Sequence, residues 1–552
     1  FREFSIVISG SVIISSFAAL TFTPMLATKL LIKREKQNWF YTKTEPFFEG
    51  MNRWYSRSLA AFLRKRWLAL PFTFITICLI GFLWNAIPAE MAPLEDRSQI
   101  SINTRGAEGV TYEYIRDYTE DINQLVDSIL PDAEAVTARV SSGSGNVRIT
   151  LKDMKDRDYT QMEVAEKISK AVQKKTMARS FVQQQSSFGG RRGSMPVQYV
   201  LQATNLEKLQ EVLPQFMAKV YENPVFQMAD VDLKFSKPEA RIRINRDKAS
   251  VMGVSTKNIA QTLQYGLSGQ RMGSFYINEK QYKILGEINR QQRNKPADLK
   301  AIYIRSSNGD MIQLDNLIEL ENGIAPPKLY RYNRFVSATI SAGLADGKTI
   351  GQGLDEMDKI AKETLDDTFR TALSGDSKEY RESSSSLMFA FILAILLIYL
   401  ILAAQFESFK DPLIIMLTVP LAIAGALVFM YFGDITMNIF SQIGIIMLIG
   451  LVAKNGILIV EFANQKQEAG EDKMSAIKDA ALQRLRPILM TSASTVLGLI
   501  PLAFASGEGA NQRIAMGTAV VGGMVVSTLL TMYIVPAIYS YISTNRIKIT
   551  KE

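Results

Sequence analysis

Seven long apolar runs, each almost free of charge, recur along this 552-residue chain, and one polar stretch from Pro88 to Glu382 separates the second run from the third. No other property constrains the fold as much. About 20 apolar residues in helical form cover the ~30 Å of hydrocarbon in a bilayer, and a backbone in hydrocarbon must satisfy its own polar groups. The runs therefore predict a membrane α-helical bundle of seven spans carrying one large water-soluble block. Two spans fall in residues 1–31 and 67–87; the other five lie within 383–545, at about 386–404, 412–432, 440–463, 487–505 and 514–542. Pro24, Pro71, Pro501 and Pro536 sit in or beside spans. Such prolines are tolerated where neighbouring helices cover the freed carbonyls, so the spans are expected to pack on one another.

Charge sets the orientation. The net charge is +9, but the basic residues are not arranged as a nucleic-acid face, and no nucleic-acid motif or basic–aromatic surface accompanies them. They gather in the connector at 32–66, which also reads as an amphipathic helix, in the loop at 464–486, and in the tail at 546–552. The short turns Gly433–Asn438 and Ser506–Arg513 hold only Asp434, Glu508 and Arg513. Basic ends face the cytoplasm, which puts the block at 88–382 outside. The chain has no histidine and a single cysteine, Cys78, inside an apolar run. That removes a disulfide framework, a thiolate metal cluster and the usual neutral-pH proton shuttle. The chain opens at Phe1 rather than at methionine, and it is expected to be one piece of a longer or divided protein.

The outer block alternates between period-two and helical patterns. "SQISINTRGAEGVTYEYIRDYTEDINQLVDSIL" reads as strand, turn and amphipathic helix, and "VRITLKDM" as a strand. "VQYVLQATNLEKLQEVLPQFMAKVYENPVFQMADVDLKF" repeats strand, helix, strand; "FVSATISAGLADGKTIGQGLDEMDKIAKETL" adds another strand and helix. Repeats of this kind predict two α+β units of split-βαβ type. Residues 238–326 read as an insertion between them, in which Asn308-Gly309 signals a two-residue hairpin.

One residue points to chemistry. Lys454 lies two to three residues from the centre of the fifth apolar run, within ~5 Å of the bilayer midplane. A charge at that depth costs at least ~2.5 kcal/mol on insertion scales and marks ion or proton pathways. No carboxylate of this chain sits at comparable depth; Glu461 shares its face but lies two turns nearer the cytoplasm. The counter-charge is expected to come from polypeptide outside this sequence. Asp366-Asp367 reads as a solvated helix end and "GSGNV" (143–147) as a tight turn. "QQQSSFGGRRGS" (183–194) reads as a surface loop.

The segments "LTFTPMLATKLL", "QFESFKDPLIIMLTVPLAIAGAL", "IGLVAKNGILIVEFA" and "RLRPILMTSASTVLGLIPLAFASGEGANQRIAMGTAVVGGM" closely resemble the resistance–nodulation–division transporters, in particular the hydrophobe/amphiphile efflux branch of Gram-negative bacteria. The resemblance runs along essentially the whole chain. It implies the C-terminal half of an inner-membrane transporter, starting at the sixth of twelve spans. The block at 88–382 would then be a periplasmic porter domain, with the insertion at 238–326 as its docking piece. By the same resemblance Lys454, Thr491 and Arg484 form a proton relay with paired aspartates on the N-terminal half. Proton motive force rather than a bound cofactor or metal would drive export. The implied assembly is a homotrimer working with a periplasmic adaptor protein and an outer-membrane channel on small amphiphilic substrates.

One departure stands out. Drug pumps of this branch carry Phe-rich strands and a Phe/Gly loop in the first porter subdomain, whereas "AVTARVSSGSGNVRITL" contains no aromatic residue. Ser141, Asn146 and Arg148 are the substrate-facing candidates there, and a more polar or amphiphilic cargo is expected. Two other readings remain open. One is a metal exporter of the same superfamily, disfavoured by the missing histidines. The other is a non-transporting accessory for envelope assembly or protein export, disfavoured by Lys454.

Overall fold

The computed structural model describes residues 2–30, 39–184, 195–324, 328–345 and 347–544. Much of the surface loop expected at 183–194 and the basic tail lie outside them. The chain opens with α1 (Arg2–Leu30), α2 (Trp39–Arg64) and α3 (Ala69–Ala86). α2 is amphipathic, and its face of Tyr55, Leu59 and Leu63 is buried.

The first outer unit comprises β1 (Gln99–Arg105), α4 (Tyr112–Ile129), β2 (Ala135–Ser141), β3 (Ser144–Thr150), α5 (Gln161–Val172) and β4 (Arg179–Gln184). The antiparallel sheet has the order β2-β3-β1-β4. Strand alternation sends Ile100, Ile102, Val147 and Ile149 to one face, where they pack on Tyr118 and Ile122 of α4 and Ile168 of α5. Both helices start where the sequence supplies a cap. Thr111 accepts from Tyr114 N, and Thr160 and Glu163 form a capping box, each satisfying amides that would otherwise lack partners.

The second unit opens with β5 (Val197–Ala203), α6 (Leu206–Glu222) and β6 (Phe226–Val231). The chain then makes an excursion through β7 (Pro238–Ile244), α7 (Arg246–Val251), α8 (Thr256–Ser268), β8 (Gln270–Ile277), β9 (Lys280–Gly286), β10 (Tyr303–Arg305), β11 (Met311–Gln313) and β12 (Ile318–Ile324). β12 returns antiparallel along β7, pairing Ile324 with Pro238. The excursion thus leaves and re-enters at one place, as an insertion must. β13 (Tyr330–Tyr332), β14 (Phe335–Leu344), α9 (Ile350–Thr364) and β15 (Arg370–Leu373) complete the second sheet. Its order is β13-β14-β5-β15, with β6 also on β14.

The Asn308-Gly309 hairpin exists, but its turn is wider than expected. Ser306 N donates to Asp310 O at 2.8 Å, and of the two turn residues only Gly309 has positive φ, +96°. A two-residue type I′ turn needs positive φ at both positions. Ser306 Oγ instead accepts from Asn308 N and Asp310 N, holding a larger loop.

The bundle continues with α10 (Gly375–Phe406), α11 (Lys410–Met416), α12 (Thr418–Phe432), α13 (Ile439–Glu468), α14 (Lys473–Ala503) and α15 (Ala510–Ile542). α11 and α12 together make one span, so seven helices among the described residues are long and apolar enough to cross a membrane. Several run past their apolar runs. α10 starts eleven residues before the expected 386, because Ser377, fully buried, accepts from Gln198 N and donates to Pro196 O, fixing its first turn to the second sheet. Hydropathy marks the lipid-soluble length of a helix, whereas hydrogen bonding and packing decide where it ends.

α15 is the central post. Glycines allow α12, α13 and α14 to approach it closely, the usual device for helices packing in lipid. A Cβ on Gly523 would meet Leu448 and the Ala422 carbonyl, and one on Gly517 would meet the α14 backbone at Leu502 and Ala503.

Candidate functional site

Lys454 is the sixteenth of the thirty residues of α13, so it lies at mid-helix as its place in the apolar run required. It is half-buried, and its ammonium donates to Thr495 Oγ1 on α14 at 3.4 Å. Among the described residues it has no ion pair. Thr495 in turn donates to the Thr491 carbonyl at 2.8 Å, while Thr491 Oγ1 donates to Ile488 O at 3.1 Å. Lysine and Thr491 are therefore linked through Thr495, one helical turn further along α14, rather than directly. Thr491 spends its hydroxyl on its own backbone, the ordinary habit of a helical threonine.

Arg484 stands apart, seven residues or about 10 Å from Thr491 toward the N-terminal end of α14. Its guanidinium lies over the Phe462 ring at 4.4 Å, and its buried Nε has no partner among the described residues. Glu461 accepts from Gln465 and does not approach Lys454.

Behind Lys454 lies a polar cluster that hydropathy hides. Asn455, fully buried, donates to Ser492 Oγ and Thr528 Oγ1, each at 3.3 Å, and Thr528 donates to Ser492 at 3.1 Å. These bonds tie α13, α14 and α15 together at the depth of the lysine, so the helices flanking it hold a defined register. A signal did exist: Asn455 is adjacent to Lys454 in sequence. Toward the C-terminal end of α13, Asp411 is buried and accepts from Asn464 at 3.1 Å; Tyr539 donates to Asn464, and Gln467 to Tyr539, both at 2.6 Å. α2 clamps this end. Tyr55 donates to Met532 O at 2.6 Å, and Glu45 pairs with Arg486 at 3.4 Å.

At the outer end, residues 88–97 strap the bundle to the porter block. Met437 N donates to Pro88 O, and Glu90 N to Met437 O, just before α13 begins. Gly351 N, in the first turn of α9, donates to Ala89 O at 3.4 Å. Glu95, buried, accepts from Gln512 N at the start of α15 at 2.8 Å. Backbone bonds thus run from the residues just before α13 through the strap to the first turn of α9 in the second unit.

Glu90 accepts from Thr436 Oγ1. Its burial raises the carboxyl pKa above the ordinary range, and the Thr436 bond only partly opposes this. The folded state then holds a proton that the unfolded state has released, so stability falls as pH rises from the ordinary glutamate value through the raised one. Glu90→Gln is expected to abolish that dependence and to raise the melting temperature at pH 7 more than at pH 5. Thermal unfolding at the two pH values in nanodiscs checks it.

The candidates in the first outer unit are brought together, though not as a loop. Ser141 ends β2 and Asn146 lies on β3, joined by a tight turn in which Gly143 has φ +79°. Asn146 and Arg148 share the face of the sheet turned away from α4 and α5; Asn146 donates to Asn103 Oδ1 at 2.8 Å. Asp366 is a turn acceptor. Thr368 donates to it from side chain and backbone, holding its carboxyl below the usual range. Among the described residues, no cluster of three or more metal-binding side chains occurs.

Comparison with known proteins agrees with this arrangement. An uncharacterized transporter of Haemophilus influenzae is 31% identical over 560 aligned residues, which cover 99% of this chain and 54% of that protein. The chain thus spans about half the length of that relative. A family model described as the AcrB/AcrD/AcrF family matches residues 1–543. A multi-pass bundle, paired α+β units between its second and third spans and a match over nearly every residue lead to one conclusion: this chain belongs to the AcrB/AcrD/AcrF family of resistance–nodulation–division transporters.

Proposed function

We propose that this chain is the C-terminal half of a proton-driven exporter of the Gram-negative inner membrane. In this reading it is completed by an N-terminal half bearing paired membrane aspartates and assembles as a homotrimer. It hands small amphiphilic compounds to a periplasmic adaptor and an outer-membrane channel. The observation that carries the reading is Lys454: a cation at mid-helix, held by one long hydroxyl contact and without a carboxylate among the described residues.

The physics is that of a two-state switch. Ionised aspartates across the interface attract the ammonium and hold α13 in one position. Protonation from the outer side removes that attraction, and the position in which Lys454 rests on Thr495 gains population. The strap at 88–97 passes the shift of α13 to the porter sheets, whose Ser141, Asn146 and Arg148 face the cargo. No cofactor is needed, because the proton gradient supplies the free energy.

Lys454→Met in the complete transporter keeps the side-chain length and removes the charge. Coupling free energies of 1–3 kcal/mol correspond to about 5–150-fold, so proton-coupled efflux in proteoliposomes is expected to fall by at least about tenfold at unchanged protein content. Efflux and proton flux equal to those of the unaltered protein would overturn the proposal.

A further inference from the structure

The sheet of the first outer unit has two unlike faces. One carries the isoleucines and valines that pack on α4 and α5. The register of the strands decides what stands on the other. Arg139, Asn146, Asn103 and Phe181 lie side by side across β2, β3, β1 and β4. The next row is Thr137, Arg148, Ser101 and Gln183, and Arg105 is directly opposite Arg179 at the outer edge. Four arginines therefore share one face with no aspartate or glutamate of the sheet among them.

The bonding separates these arginines into two kinds. Arg105 is committed to Asp230 of the second unit at 2.6 Å, and Arg179 donates to Tyr221 OH at 3.1 Å with its guanidinium 5.5 Å from the ring centre. Both hold the two units together. Arg139 and Arg148 have neither an ion pair nor a hydrogen bond among the described residues. Arg139 is exposed and Arg148 half-buried. Between them and the β4 edge runs a line of amides, with Asn146 donating to Asn103 and Asn103 to Gln183 Oε1 at 3.0 Å. This line fixes the floor while leaving the guanidinium donors unspent.

At that edge the face opens into a cavity of about 580 Å³ between the two units, within the roughly 300–1,000 Å³ of small-molecule sites. Its walls include Val172, Phe181, Val182 and Met228; Lys175 and Arg179 are its charged residues, and no acid lines it. Phe181 and Arg179 belong to both cavity and face. The arrangement is a recess whose apolar part lies beside Ser169, Gln173, Thr176 and Gln227. It leads onto a surface where Arg139 and Arg148 have no ion pair among the described residues, each able to hold a carboxylate, sulfonate or phosphate with two parallel hydrogen bonds.

We propose that the cargo of this transporter is an anionic amphiphile, its apolar body in the recess between the two outer units and its acidic head on Arg139 and Arg148. The assignment rests on the porter face being the cargo surface, as in the functional reading above. It also accounts for the missing aromatic lining: a head group recognised by charge-assisted bonds needs guanidinium groups where a neutral drug needs rings. A cationic cargo would face Arg139, Arg148 and Arg179, none of them in an ion pair among the described residues.

The test uses the complete transporter in nanodiscs and three fluorescent probes that share a dansylaminoundecyl chain and end in a carboxylate, a neutral amide or a trimethylammonium. Binding is measured by fluorescence titration. The carboxylate probe is expected to bind at least about tenfold more tightly than the trimethylammonium probe. Arg139→Gln/Arg148→Gln is expected to weaken the carboxylate probe about tenfold and to leave the amide probe unchanged. Arg271→Gln, on the separate β8–β9 ribbon, should alter none of the three. Retained amide binding and an unchanged melting temperature show that the double variant is folded. Equal affinities for the three probes, or a double variant that binds the carboxylate probe as tightly as before, overturn the proposal. Those results would leave Lys454-dependent efflux standing. Conversely, carboxylate selectivity without proton-driven movement would remove the transport reading and keep the site.

Discussion

Arg157→Ala is expected to lower the melting temperature of the outer block by on the order of ten degrees. The Arg157 side chain is completely buried and donates to Asp96 Oδ1 at 2.5 Å, to the Lys152 carbonyl at 3.0 Å and to the Tyr159 carbonyl at 2.9 Å. Asp96 also accepts from Gln161 N at 2.9 Å, at the first residue of α5. The pair thus joins the strap, the sheet edge and the start of a helix. Truncating the arginine leaves a carboxylate desolvated without its cation, and breaking a buried pair in this way costs about 3–5 kcal/mol. In a unit of this size each kcal/mol shifts Tm by about 2–4 °C.

The acid response follows with its sign fixed. Burial alone would raise the Asp96 pKa; the bonds from Gln161 N, Arg157 and Ser98 N outweigh it and hold the carboxyl below its ordinary value. Its contribution is therefore fully present above the ordinary aspartate pKa and disappears as pH falls through the depressed folded value. With Arg157 gone the depression shrinks, so acid unfolding should begin at higher pH. Arg116→Ala, which breaks an exposed pair with Asp117, should leave Tm unchanged, since such pairs contribute little. A melting temperature within two or three degrees of the parent for Arg157→Ala would refute the assignment. Thermal unfolding over a pH series decides it.

Gly517→Val is expected to prevent the bundle from assembling. A Cβ at Gly517 would stand 2.6 Å from Ala503 N and 2.8 Å from Leu502 C. Those are backbone atoms at the last turn of α14, which cannot rotate aside as a side chain does. α14 would have to move away from α15, unseating the Asn455–Ser492–Thr528 bonds that set the register beside Lys454. Overpacking in a close-packed interior already costs about 1–3 kcal/mol when side chains can yield, and here they cannot. Gly498, one turn before Pro501 on the same helix, has nothing within 4 Å of its Cβ position. Gly498→Ala should therefore be neutral or should stabilise by about 0.5–1 kcal/mol through backbone entropy. Yield of monodisperse protein and Tm in detergent separate the two; a well-folded Gly517→Val protein would show that the α14–α15 crossing is looser than described.

The contrast between these two glycines shows what was legible in the residues alone. Both lie in apolar runs and look alike in sequence, and only the crossing of α14 and α15 makes one of them indispensable. The same holds for threonines. Thr491 drew attention through its surrounding motif; the hydroxyl that receives Lys454 is that of Thr495, on the next turn of α14, a contact that depends on how α13 and α14 pack. Arg157 carried no signal at all, since nothing in its neighbourhood reveals that 96–98 and 157–161 meet.

Some properties needed no tertiary structure. The seven apolar helices, the α+β block between the second and third of them and the mid-helix place of Lys454 follow from composition and period, because the bilayer imposes a length and a polarity that a one-dimensional chain records directly. The caps of α4 and α5 are likewise local, each made within three residues along the chain. Other properties arise only when elements distant in sequence come together. The strand order β2-β3-β1-β4 puts Arg139 and Arg148 on one face with Arg105 and Arg179, and the strap at 88–97 bonds to both α13 and α15. Hydropathy is a sum over neighbours along the chain. Hydrogen-bond partners, cavities and glycine contacts are set by neighbours in space, and for this protein those decide which buried charges are paired and which remain available.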